Sequence, residues 1–180
     1  MIASPEMFLA AAGQRTHRIR LGTGVTSLPY HHPFNVAQRM VQLDHLSGGR
    51  AMFGSGPGAL PSDARTLHID PLIQRDRQDE ALGVIIRLLH GEERFSYDSE
   101  WFTLRDGALQ ILPVQDDMPM TTASSISPSG MTLAGKYGIV HSASPPPASR
   151  ASRRCPRSGS SHKTRPPSTA RPSIARTGGC

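Results

Sequence analysis

Residues 43–58 read LDHLSGGRAMFGSGPG, and their order sets the fold class. A helix end carrying Leu43 and Leu46 meets Ser47-Gly48-Gly49, where glycine closes the last turn in the left-handed region at little cost. A strand over Arg50–Ser55 follows after about three residues, the spacing of an αβ connection in a parallel sheet. It ends in Gly54-Ser55-Gly56-Pro57-Gly58. Upstream, Ser4-Pro5-Glu6 announces a helix: Ser as N-cap, Pro where a missing N–H costs nothing, Glu at the positive end of the dipole. That helix is expected to reach about Arg15. Ile19, Leu21 and Val25 mark a short strand ending in Gly22-Thr23-Gly24, and Pro33 starts a helix with Val36, Ala37, Met40 and Val41 on its apolar face. Helix, strand, helix, strand is the grammar of an α/β fold.

Residues 56–73 read as a long polar loop. A well-patterned helix is expected over Gln74–His90, with Ala81, Val84, Ile85 and Leu88 inward and Gly91 as its stop. The pieces RFSY and WFTL flank Asp98-Ser99-Glu100 and suit a hairpin. Met118–Ser124 is a candidate strand, Pro128–Lys136 a helix and Ile139–Ser142 a further strand.

The 180 residues carry a formal net charge of +6, yet the charge is unevenly placed. Residues 145–180 hold eight Lys or Arg and no Asp or Glu, leaving 12 basic against 14 acidic side chains ahead of them. With Ile174 as its only large aliphatic residue, residues 144–180 form a basic Pro/Arg/Ser-rich tail that cannot offset its chain entropy by burial, and it reads as disordered. A nucleic-acid arm is the functional alternative; the tail offers no aromatic for stacking and no spaced basic helix, so no nucleic-acid partner is expected. Cys155 and Cys180, both in the tail, have no Cys or His at ligand spacing and give neither a disulfide framework nor a metal site. No apolar run of about 18 residues is present, so no membrane contact and a cytoplasmic location are expected.

The glycine cluster does not suit a phosphate loop. A dinucleotide fingerprint needs a helix opening at its last glycine and an acid about 20 positions on, and a P-loop needs Gly-Lys-Ser/Thr. Pro57 and the polar ALPSDA open a loop instead. Bare backbone at a strand end lets a flat ring lie against it; a plain turn is the alternative. His31-His32 before Pro33 lacks a third ligand, so both read as loop histidines, with His31 toward the substrate side. Asp116-Asp117 reads as solvated loop. Asp44 and His45 suit a capping or inter-helix bond.

The blocks SPEMFLAAAGQRTHRIRLGTGVTSLPYHHPFNVAQRMVQLDHLSGGRAMFGSGPGALPSDA, RDRQDEALGVIIRLLHGE, WFTLRDGALQILP and SPSGMTLAGKYG resemble the bacterial luciferase-like flavin-dependent monooxygenases, most closely their limonene monooxygenase-like branch. The resemblance covers residues 2 to about 142. It implies a partial TIM-type (β/α)8 barrel made of central βα units over residues 1–143, with the flavin at the C-terminal strand ends. Cofactor contacts are implied at Gly22, Thr23 and Gly24, near which relatives sometimes carry a strained non-proline peptide bond, and at Ser55 and Gly56. Arg75 and Ser127 are implied near the phosphate, a guanidinium and a helix N-terminus both suiting that anion; a solvated arginine and a plain N-cap are the alternatives. A phosphate-binding arginine known in some relatives falls at Pro57 here. The relatives' Glu-His-His segment lies ahead of the block that starts at Ile2, so no catalytic residue is assigned.

Reduced FMN and O2 are the implied reactants, with a small apolar organic substrate, a separate flavin reductase and homo-oligomers among full-length relatives. A deazaflavin coenzyme with hydride transfer is the sister chemistry. The abrupt change after Ala143 is what GC-rich DNA read in a shifted frame gives, and an inactive remnant is the third expectation. Reading the neighbouring DNA in its other frames tests it.

Overall fold

Alternating helices and strands build one parallel sheet with its helices on a single face. The computed structural model describes residues 4–124 and 128–143; these belong to the unit Met1–Pro147. In chain order the elements are α1 (Pro5–Gly13), β1 (Leu21–Gly22), β2 (Thr26–Ser27), α2 (Pro33–Ser47), β3 (Ala51–Gly56), α3 (Pro61–Thr66), α4 (Gln74–Leu89), β4 (Phe95–Asp98), β5 (Thr103–Gly107), β6 (Met120–Ser124), α5 (Ser129–Tyr137) and β7 (Val140–Ala143). The main sheet runs β1-β3-β6-β7, with β2 also paired to β3, all parallel. β4 and β5 form the expected antiparallel hairpin.

Local chemistry explains the element ends. Pro33 occupies the first turn of α2, and His32 caps it by accepting the Phe34 N–H at Nδ1. Gly48 ends it at φ 65°, its N–H returning to the Asp44 and His45 carbonyls, a backbone that side chains resist. Two expectations need correction. The first helix stops at Gly13 rather than near Arg15, because the Arg15 N–H turns back to the Ala12 carbonyl at 3.0 Å and Gln14 donates to Leu46 O. The supposed loop 56–73 contains α3 and a 3-10 turn, Pro71–Ile73, whose Leu72 N–H is taken by Asp70; Pro61 and Asp63 are start signals that the polar composition hid. The tail beyond residue 143 lies outside the described residues.

Side chains at paired positions of neighbouring strands share a face. One face carries Leu21, Ala51, Phe53 and Met120; Phe53 is fully buried among Met40 and Val41 of α2 and Leu82 and Ile85 of α4. Gly22, Met52, Gly54 and Thr121 alternate onto the other face. Helices outside and small residues inside make this an arc of a (β/α)8 barrel.

Asp44 differs from expectation. Instead of a cap it is a fully buried hub: its carboxylate accepts the backbone N–H groups of Ala51, Val114 and Gln115 at 3.2, 2.8 and 3.1 Å and the Gln115 side-chain amide at 2.8 Å. It ties α2 and the start of β3 to the segment that leads into β6.

Candidate cofactor-facing site at the strand ends

The strand expected around Gly22-Thr23-Gly24 is interrupted. Between the pairs Gly22/Met52 and Thr26/Ser55 this side carries one residue more than β3, so the chain leaves the ladder over Thr23–Val25 and rejoins it as β2, as an inserted residue does at a bulge. The Gly24–Val25 peptide bond is cis. Thr23, nearly buried, repairs the ladder with its side chain: Oγ1 donates to Gly54 O and accepts from Gly54 N, both at 3.0 Å.

That detour gives Gly54 and Gly56 their reason. A Cβ at Gly54 would collide with the Thr23 carbonyl oxygen, and one at Gly56 with the Val25 side chain. Their space is filled by the chain itself, so close packing rather than room for a ring requires glycine there. Gly24 is different: nothing stands within 4 Å of where its Cβ would be. Gly22 is exposed. Gly58, at φ +86°, has the Tyr30 ring where a side chain would go.

Ser55 faces the helix layer. It is fully buried, its Oγ donates to Thr121 O at 3.4 Å, and its register partner Thr122 receives the Gln78 amide of α4 at 3.0 Å. Its hydroxyl is thus turned away from the inner face, and the fully buried residue presents no surface for contact there. Arg75 is exposed in the first turn of α4. Ser127 lies outside the described residues; α5 opens just after it, with Pro128 as N-cap. Sequence reasoning overlooked Thr121, whose Oγ1 is buried with no partner among the described residues, on the inner face beside Gly54. The alternation in MTTAS, with Met120 and Thr122 on the helix side, is the signal that finds it.

His31 is half-buried beside the 3-10 turn Leu28–Tyr30. Burial is the main cause that pushes its imidazole pKa below the usual 6.5, helped by Arg39 and opposed by Glu6. The folded chain therefore refuses a proton that the unfolded chain accepts. Above pH 6.5 both states are neutral and nothing is lost; as pH falls through 6.5 stability drops, levelling once the folded group also protonates. Urea midpoints between pH 7.5 and 5.5 should fall more steeply for the parent than for His31→Gln; equal slopes would disprove this role.

Comparison with known proteins adds context to this geometry. The pattern of the family described as luciferase-like monooxygenase matches residues 2–177, running past the point near 142 where the resemblance was expected to end. The chain is 54% identical over 140 residues to 4-hydroxyprotoasukamycin monooxygenase of Streptomyces nodosus subsp. asukaensis, covering 77% of this chain and 38% of that protein. It is 55% identical over 138 residues to limonene 1,2-monooxygenase of Rhodococcus erythropolis, covering 77% and 35%. The chain thus spans little more than a third of these relatives' length. Among solved structures, monooxygenase RslO1 from Streptomyces bottropensis superposes with a TM-score of 0.71 at 28% identity, covering 77% of this chain and 42% of that one. An F420-dependent secondary alcohol dehydrogenase bound to an F420-acetone adduct gives 0.69 at 26%, covering 78% and 43%.

Proposed function

Because the chain belongs to the luciferase-like monooxygenase family, we propose that its strand ends form the flavin-facing arc of an enzyme that uses reduced FMN and O2 to oxygenate a small apolar organic molecule. The observation that carries this is the bare backbone around the cis peptide. Gly22 is exposed and Gly24 opens onto space, while Thr23 and Gly54 lock each other in place. A planar ring needs such a surface, flat and without side chains, held so that binding costs little ordering.

The residues present fit a flavin. Gly22, Gly24 and the Thr23 backbone would hold the ring, with the Thr121 Oγ1, which has no partner among the described residues, as a hydrogen-bonding group on the inner face; Ser55 and Gly56 are buried and stand behind that surface. Arg75 and the α5 N-terminus after Ser127 would take the phosphate, because a guanidinium and the positive end of a helix dipole both attract anions. The bound flavin supplies the redox chemistry. The chain's own residues position it and exclude water.

In this reading a separate reductase delivers the reduced FMN, the complete enzyme is a homo-oligomer, and residues 1–143 form the barrel part. An arc of these few strands does not enclose a substrate, so this chain alone is expected to contact flavin without turnover. A deazaflavin coenzyme with hydride transfer is the second reading, favoured by the likeness to the F420-dependent dehydrogenase.

Parallel titrations with FMN and F420, followed by cofactor fluorescence, separate these readings. FMN is expected to bind at least about tenfold more tightly, a difference of about 1.4 kcal/mol, and Gly24→Val to abolish the preference by filling the bare surface. Tighter F420 binding selects the second reading. Binding of neither cofactor refutes both for this chain.

A further inference from the structure

A cleft of about 250 Å3 opens between the turn that follows β2, the segment after α3 and the tip of the β4–β5 hairpin. Its walls are Pro29 and Tyr30 from the 3-10 turn, Leu67 and Ile69 after α3, and Trp101-Phe102 at the hairpin tip, with His31 and His32 between them. The walls are fixed. Trp101 stands edge-on to Phe102 with centroids 4.8 Å apart, and Phe102 stacks on Tyr97 at 5.5 Å. The Trp101 indole N–H donates to Glu80 at 2.8 Å, and the Tyr30 hydroxyl accepts from Gln74 at 2.7 Å.

His32 is committed at both nitrogens. Its Nδ1 accepts the Phe34 N–H, so Nε2 carries the proton and donates to Thr103 O at 3.3 Å. His31 is the exception: its imidazole makes no hydrogen bond to any described residue. The lining thus mixes ring and aliphatic surface with polar atoms, and His31 adds a group able to donate at one nitrogen and accept at the other.

We propose that this cleft binds a small uncharged molecule carrying one hydroxyl or carbonyl oxygen that hydrogen-bonds to His31. The volume lies just under the roughly 300–1,000 Å3 of drug-sized pockets, which restricts the ligand to a fragment-sized ring or short chain. No carboxylate, ammonium or guanidinium lines it, so an ion entering would lose hydration without a counter-charge. The depressed proton affinity of His31 keeps the imidazole neutral near pH 7. A hydroxyl, itself donor and acceptor, matches it best. The site does not depend on the flavin reading, because it shares no residue with the strand ends.

Trp101 is the only tryptophan in the chain, so its emission reports the cleft directly. Cyclohexanol should shift that emission to shorter wavelength with saturation, as water leaves the indole face. His31→Phe should weaken cyclohexanol about fivefold, the scale of one hydrogen bond, and leave methylcyclohexane unaffected. Leu67→Phe, at the half-exposed rim, should weaken both by narrowing the cleft while leaving the core untouched. A linear, unsaturating drift in the parent chain, or equal cyclohexanol affinity in parent and His31→Phe, overturns the proposal. Neither result bears on FMN binding.

Discussion

Gly54→Ala is expected to cost about 3 kcal/mol or more, the upper end of what overpacking does in a close-packed interior. The added methyl would meet the Thr23 carbonyl oxygen. Backbone is poor at yielding here, because the Thr23 hydroxyl already grips Gly54 at both its N–H and its C=O. Moving Thr23 aside breaks both bonds. Gly24→Ala, whose added methyl would have no described atom within 4 Å, should stay within about 0.5 kcal/mol. With urea slopes of about 1–3 kcal/mol per molar, the first change lowers the midpoint by roughly 1–3 M and the second hardly at all. Matching midpoints for the two variants would show that the detour at Thr23–Val25 is not packed as described.

Asp44→Ala should be comparably severe, about 3–5 kcal/mol, for a different reason. The substitution removes little volume but strands the N–H groups of Ala51, Val114 and Gln115 together with the Gln115 amide. Each buried donor left without a partner costs about 1–3 kcal/mol, and hydrogen bonds to a charged acceptor are the stronger kind. Asp44→Asn keeps one carbonyl oxygen and should lose roughly half as much. Hydrogen exchange locates the damage: Val114 and Gln115 amides should exchange faster in Asp44→Ala, while the hairpin Phe95–Gly107 keeps its protection. If Val114 and Gln115 exchange as in the parent, Asp44 is not what anchors that segment.

Much of the fold was legible because it rests on local signals. Pro33 with Gly48, and the apolar spacing from Ala81 to Leu88, fix α2 and α4 within a residue of expectation. The hairpin and the parallel order follow from alternation and short connections. The candidate site was legible only as a place. Glycines at strand tips marked where backbone lies bare, but nothing in their spelling said that Gly54 and Gly56 are filled by Thr23 and Val25 while Gly24 stays open. Ser55 shows the same limit: the residue was singled out correctly as a strand end, but its side chain turns to the helices.

The sequence by itself determined most of the helices and strands, α3 and the interruption between β1 and β2 apart, together with their α/β order and their family, since capping, periodicity and turn chemistry act over neighbouring residues. Only the tertiary structure decided that one extra residue between Gly22 and Thr26 leaves the ladder, that Asp44 collects donors from residues about 70 positions away, and that the His31 imidazole makes no hydrogen bond to any described residue. Those facts depend on which distant atoms come to lie within 3 to 4 Å, and such proximity is created by packing rather than by any local preference of the chain.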